Sequence, residues 1–227
     1  MKNPNTWKPK KLGDFIGTAG TWARMLEEVV KQAKKSKDQS LKYLLHGPAG
    51  VGKSEVAKMV AYSLAAKDFD VQVVAGRNLR ADDVQKLRNQ MGTGSLYGEW
   101  VVLIIEEADT CPRDGQDALL TFLDELPKCR AVLATSNKEL GDLTDRFQTR
   151  FQHLQFKEPS TADIAKLLAR FDGMSPECAC EIAEGADGNV RAALLDAQTH
   201  LDYQRFMPLA TASEDDYGQV SILETIQ

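Results

Sequence analysis

The chain has 227 residues, 43% apolar and 27% charged, proportions that exclude a wholly disordered polypeptide and fit one large domain or a large and a small one. No apolar run approaches the ~18 residues of a membrane span, and the opening Met1-Lys2-Asn3-Pro4-Asn5 leads into Lys and Pro rather than into the apolar core of a secretory signal. The net charge of −5 gives little support to broad nucleic-acid affinity.

Residues 1–17 read as an extended arm. The spacing of Trp22, Met25, Leu26, Val29 and Val30 predicts a first helix, followed by a charged break from Lys31 to Ser40. Lys42 to His46 predicts a short apolar strand that runs straight into Gly47-Pro48-Ala49-Gly50-Val51-Gly52-Lys53-Ser54. Val56, Met59, Val60 and Leu64 predict the helix after it. A second strand is expected at Val71 to Ala75 and a helix over 81–91, then a Gly-rich loop from Gly92 to Gly98. Trp100 to Ile105 reads as a strand buried on both faces. Ala118, Leu119, Phe122, Leu123 and Leu126 mark a helix that stops before Pro127. Arg130 to Thr135 and Gln152 to Phe156 complete five strands.

Beyond Pro159 the pattern is helical throughout. Ser160 with Asp163 makes a capping-box-like start, Ser175-Pro176 opens a second helix, and Asn189 to Gln204 is a third. Strands alternating with helices predict an α/β domain around a five-stranded parallel sheet over residues 1–157. A small three-helix domain is expected over 158–206 and an acidic tail over 207–227. The four cysteines form no CxxC pair and the three histidines have no metal-ligand spacing, so reduced thiols are expected.

Gly47 to Ser54 satisfies G-x-x-x-x-G-K-[ST], with a strand before and a helix after, as a phosphate-binding loop requires. Its glycines let backbone N–H groups curl around phosphate oxygens, and the helix N-terminus favours negative charge. Lys53 is expected at the β- and γ-phosphates and the Ser54 hydroxyl on Mg²⁺. The strand ending in Glu106-Glu107 places two acids at the sheet edge where ligands bind. One can hold the metal shell and the other can polarise water, unless they cap the next helix, the role expected of Asp109. Asn137, at the end of the fourth strand, could orient water, although Ser-Asn is also ordinary turn chemistry. Arg150 and Arg191 would be unremarkable in isolation.

In this order, over roughly residues 7–204, these segments resemble the AAA+ ATPases, and within them the clamp-loader group: the replication factor C small subunits and their phage and bacterial counterparts. The opening Trp7-Lys8-Pro9-Lys10-Lys11-Leu12-Gly13-Asp14-Phe15-Ile16-Gly17 is similar to that family's N-terminal box, which implies that Ile16 and Gly17 touch adenine. The resemblance makes the phosphate loop (Gly47, Pro48, Ala49, Gly50, Val51, Gly52, Lys53, Ser54) the cradle for ATP with Mg²⁺. It implies a metal role for Glu106 and Ser54, Glu107 as the general base, Asn137 as sensor 1 and Arg191 as sensor 2 of a helical lid. Asn78 to Val84 resembles the segment near the DNA-tracking surface. Thr149-Arg150-Phe151 stands where the family has Ser-Arg-Cys, which implies an arginine finger at Arg150 acting in trans, with Arg146 as the runner-up.

Three departures stand out. Glu106 replaces the usual Asp, and its extra methylene implies slower hydrolysis, since Mg²⁺ wants tight octahedral geometry. Thr-Arg-Phe replaces Ser-Arg-Cys. The chain also lacks room for a helical collar, so assembly is expected to rest on the AAA+ interfaces, the tail or another subunit. The resemblance implies an ATPase dependent on oligomer assembly and DNA, in a ring or spiral of self or related subunits. Primer–template or duplex DNA and a sliding clamp are the implied partners. The setting would be the cytoplasm of a bacterial or phage-infected cell, with a phage gene suggested by the compact length. The charge fits such a role locally. Residues 1–58 carry 12 Lys and Arg against 5 Asp and Glu, a balance of +7 that leaves −12 for the rest, although a solvated basic arm would look the same. A branch-migration or transposition ATPase and a weakly hydrolysing, nucleotide-gated scaffold remain as alternatives.

Overall fold

Short apolar strands separated by amphipathic helices must return to the sheet by crossovers, which makes neighbouring strands parallel. The computed structural model describes residues 3–65, 67–92, 99–137 and 143–214. Its strands are β1 (Leu41–His46), β2 (Val71–Ala75), β3 (Val101–Glu106), β4 (Arg130–Ser136) and β5 (Gln152–Gln155). They form one parallel sheet in the order β2-β3-β4-β1-β5. The α/β parallel fold read from the sequence is the fold observed. Because β1 lies between β4 and β5, the loop that leaves its C-terminal end emerges inside the sheet rather than at its rim.

Helices α1 (Gly17–Ser36) and α2 (Lys53–Leu64) cover one face, packing on Leu45, Val102, Ile104 and Leu133. Helices α3 (Ala81–Gly92), α4 (Arg113–Asp124) and the single turn α5 (Asp145–Gln148) cover the other, against Leu103, Ile105, Val132 and Ala134. The alternating sides of β3 and β4 therefore both meet apolar partners, and every residue of β4 is buried. A third core lies apart from the sheet, in α6 (Thr161–Leu168), α7 (Pro176–Gly185) and α8 (Val190–Glu214). Trp7 and Ile16 of the N-terminal arm pack on this helical core, and the Trp7 ring meets Phe171 edge-on at 6.2 Å. Ser160 caps α6 by accepting from the Asp163 amide, and Ser175 caps α7 by accepting from Cys178.

The structure departs from the sequence reading in several elements. The charged run after Val30 is not a break: α1 continues to Ser36. Ala33 is fully buried there, Lys31 pairs with Glu27 and Glu28, and Lys37 ends the helix at φ 53° with its N–H on the Ala33 carbonyl. Those lysines are the solvent face of a helix. Helix α4 stops at Asp124, short of Leu126. Asp109 does not cap it, since its N-cap residue is Pro112 and no side chain makes the capping bond. The turn α5 was not foreseen, because four residues carry no readable period. Thr144 starts it by accepting from the Phe147 amide. Helix α8 runs to Glu214, eight residues into the span assigned to the tail. Residues 215–227 of that tail and residues 93–98 of the Gly-rich loop lie outside the described residues.

Ile104 on β3 is fully buried against the α1–α2 layer. Ile104→Ala should cost about 2–5 kcal/mol of stability, read as a lower urea midpoint with an unchanged slope. A loss under about 1 kcal/mol would contradict this packing.

Candidate functional site

Strand β1 ends at His46, and the chain then turns sharply at Gly47 (φ 139°), where a Cβ would fall 2.2 Å from the Phe156 carbonyl oxygen. Only glycine fits this turn. The loop then delivers the backbone into the first turn of α2 at Lys53. The N–H groups at a helix start have no intrahelical partner, which makes a ready anion site.

Lys53 is 4% exposed. Its Nζ donates to the Gly47 carbonyl at 2.8 Å and to that of Pro48, both in its own loop. Burial pushes the ammonium down to about 8, a shift countered by the Asp109 carboxylate and reinforced by the positive charge of Arg191. A charge held so reluctantly gains from an anionic partner.

Beside it opens a cavity of about 240 Å³ with three walls. Gly50 to Ser54 form the first, Trp7, Phe15 and Ile16 of the arm the second, and Val190, Arg191 and Leu194 of α8 the third, with Asn137 among the lining residues. Aromatic and aliphatic groups gather in the arm, and cationic and amide groups at the loop. This suits a ligand with a flat apolar part and an anionic part.

The expected site residues distribute unevenly. Ile16, Gly50, Val51, Gly52, Lys53, Ser54, Asn137 and Arg191 share this cavity. Gly47 and Pro48 line an adjoining cleft that Asn137 also lines. Ala49 lies in the loop between them, and Gly17 packs on Pro159. Glu106 ends β3 and pairs with Lys58 Nζ at 3.1 Å. Lys58 is one helical turn beyond Ser54, so the Glu106 carboxylate lies along the flank of α2 that carries Ser54. Glu107 is exposed and left-handed (φ 53°), and its N–H donates to Thr135 Oγ1 at 3.2 Å. Arg150 is not at this chain's cavity. It sits just before the N-terminal end of β5, where Nη2 pairs with Asp124 at 3.0 Å and Nη1 donates to the Arg146 carbonyl at 2.8 Å.

Asp109, expected as a helix cap, instead faces Lys53, and one buried bridge outside the cavity lining was not expected. The Asp109 carboxylate accepts from the Asn137 backbone N–H at 3.4 Å as well as acting on Lys53. Its place two residues beyond the acidic pair was the available signal. Gln116 is buried. Its Nε2 donates to the Cys111 carbonyl and its Oε1 accepts from the Thr144 amide, both at 3.0 Å, which ties the loop after β3 to the start of α5. No spacing in the sequence announces that bridge. Among the described residues no three His, Cys, Asp or Glu gather to hold a metal. A divalent cation here would draw most of its oxygens from phosphate and water, the usual habit of Mg²⁺.

Residues 43–159, just over half of the chain, match the profile of the ATPase family associated with various cellular activities (AAA). The chain belongs to that family. It is 26% identical over 212 residues to the Holliday junction branch migration complex subunit RuvB of Mycobacterium sp. (strain KMS), covering 82% of this chain and 56% of the relative. It is 25% identical over 208 residues to the replication factor C large subunit of Staphylothermus marinus, covering 85% and 47%. The chain thus spans about half the length of the curated relatives it matches. In fold it resembles the Thermotoga maritima RuvB Holliday junction branch migration motor, with TM-score 0.75, 20% identity and coverage of 88% and 67%. A DNA polymerase III gamma subunit-related protein of Thermotoga maritima matches at TM-score 0.52, 17% identity and coverage of 76% and 70%. The AAA assignment agrees with the loop, the sheet order and the position of the cavity. No helix among the described residues is long and apolar enough to cross a membrane.

The Lys53 shift sets a pH dependence. The charged amine binds a polyanion, and the free chain loses that charge as pH rises through about 8. The dissociation constant for a triphosphate nucleotide should therefore climb above pH 8, by up to about tenfold per unit. Lys53→Arg should stay flat from pH 7.5 to 9.5 in a fluorescent-nucleotide titration, and an equally flat wild-type curve would contradict the assignment.

Proposed function

We propose that this chain is the ATP-binding and ATP-hydrolysing subunit of an oligomeric machine that works on DNA. The observation that carries the reading is the cavity that joins Lys53 and Ser54 of the loop to Arg191 of α8 and to the apolar arm. Adenine packs against Ile16 and its neighbours, while Lys53, Asn137 and Arg191 face the phosphates. Ser54 and, partly through water, Glu106 would hold Mg²⁺, which when bound would neutralise charge on the phosphate oxygens. Glu107 accepts a proton from the attacking water, and Asn137 orients that water. For Glu106 to serve the metal its carboxylate leaves Lys58, which sits one turn from Ser54.

Arg150 acts on the nucleotide of a neighbouring copy or related subunit in a ring or spiral. Arg150 is not among the residues that line this chain's own cavity, which supports a role in trans, and its ion pair with Asp124 holds the guanidinium until a neighbour arrives. In GTPases a supplied arginine is worth roughly 10³–10⁵ in rate. Arg150→Ala should therefore lower turnover of the assembled protein by two orders of magnitude or more and leave nucleotide affinity within about twofold. Unchanged turnover would remove Arg150 from the mechanism.

Within this function we favour a clamp-loader-like role on primed DNA with a sliding clamp, supported by the N-terminal box and by the likeness to a replication factor C subunit. A branch-migration role is the second reading, favoured by the relatives named as branch migration subunits. Steady-state ATP hydrolysis with primer–template DNA and with a four-way junction separates them, with Glu107→Gln as the blank. Stimulation by primer–template DNA, increased further by a sliding clamp, is the expected result. Stimulation by the junction alone would establish the second reading, and a blank-level rate under every condition would favour a nucleotide-gated scaffold.

A further inference from the structure

Helix α8 starts directly on the phosphate-binding loop. The Arg191 N–H donates to the Gly50 carbonyl at 3.3 Å. Asn189 caps the helix, its Oδ1 accepting from the Ala192 N–H at 3.1 Å and its carbonyl from the Ala193 N–H at 3.0 Å. The same carboxamide lies over the Cα of Gly50, where a Cβ would fall 1.9 Å from Asn189 Oδ1 and 2.5 Å from Cγ. Gly50 stands at φ 78°, which already favours glycine. The space its missing methyl leaves is the notch that Asn189 fills. One side chain thus closes the first turn of α8 and keys that turn into the loop. Arg191 follows two residues later, tethered by its own N–H to Gly50, so the notch fixes where its side chain enters the cavity.

We infer that Asn189 is a positioning residue: by seating α8 in the notch over Gly50 it sets Arg191 against the terminal phosphate of a bound triphosphate. This rests on the reading of Arg191 as the γ-phosphate contact. Asn189 touches the loop backbone, and Arg191 touches the ligand. Emptying the notch lets the start of α8 shift on the loop, and an arginine displaced by about an ångström no longer reaches its phosphate oxygen well. ATP and ADP differ at that phosphate, so the preference for ATP over ADP isolates the effect from general nucleotide binding.

The test uses the full chain on a Glu107→Gln background, which keeps ATP intact, with Mg²⁺ and equilibrium titrations of ATP and of ADP. Arg191→Ala should cut the ATP-over-ADP preference by about 10- to 100-fold, the size of one charge-assisted hydrogen bond. Asn189→Ala should cut it comparably, and the double variant no further than either single one. Asn189→Ser separates capping from keying. Its hydroxyl can cap α8 and hold the thermal midpoint near that of the parent, yet it is too short to fill the notch, so the preference should still fall. A parental preference in Asn189→Ala or in Asn189→Ser, with Arg191→Ala impaired, would overturn the keying role. An unchanged preference in Arg191→Ala would instead overturn the reading of Arg191 and this inference with it.

Discussion

The ammonium of Lys53 is buried in a loop where, among the described residues, its hydrogen bonds go to the carbonyls of Gly47 and Pro48. Burying a charge is costly unless strong partners compensate it, and two neutral carbonyls do so incompletely. The fall of its pKa to about 8 expresses that deficit. An anion entering beside the helix N-terminus would offset it. The rest of the architecture follows from keeping this amine in place. The sheet order puts β1 between β4 and β5, so the loop emerges with Asn137 and Asp109 toward one side and the end of β5 toward the other.

The cavity walls come from segments far apart in the chain, near residues 7–16, 50–54 and 190–194. None of them forms a cavity alone. The arm joins the other two, because Trp7 and Ile16 belong to the apolar core of α6–α8 while Phe15 packs on the α1–α2 core of the sheet. Any movement of α6–α8 relative to the sheet must therefore pull on the arm and reshape the wall that faces the base. At the opposite end of the cavity, α8 rests on Gly50. With 25 residues, α8 is roughly 37 Å long, so a small rotation at Gly50 becomes a large displacement at its far end.

The fold was legible where local chemistry is periodic or punctuated. The five strands, the loop from Gly47 to Ser54 and the starts of α6 and α7 could be read from apolar runs, glycines and capping serines. Legibility failed where tertiary contacts decide. The lysine-rich end of α1 looked like a break because single buried Ala33 carries little apolar signal. Helix α5 is a single turn held by Thr144, Gln116 and the buried Phe147 rather than by propensity. The site divides the same way. Lys53 and Ser54 were singled out by the loop motif and Arg191 by the family resemblance, and the three line one cavity. The partners of Glu106 and Arg150 were not readable, since Lys58 and Asp124 are brought to them by the packing of α2 on β3 and of α5 on α4. The notch over Gly50 is invisible in sequence because it is the absence of a methyl group.

The central claim is that one nucleotide sits between the Lys53 loop, the arm and α8. Calorimetric titration of the purified chain with ATP and Mg²⁺, beside Lys53→Ala and Trp7→Ala, tests it most directly. The account predicts one site per chain, lost in Lys53→Ala and weakened in Trp7→Ala although that residue is far from the loop in sequence. Binding that survives Lys53→Ala, or that ignores Trp7, would place the nucleotide elsewhere.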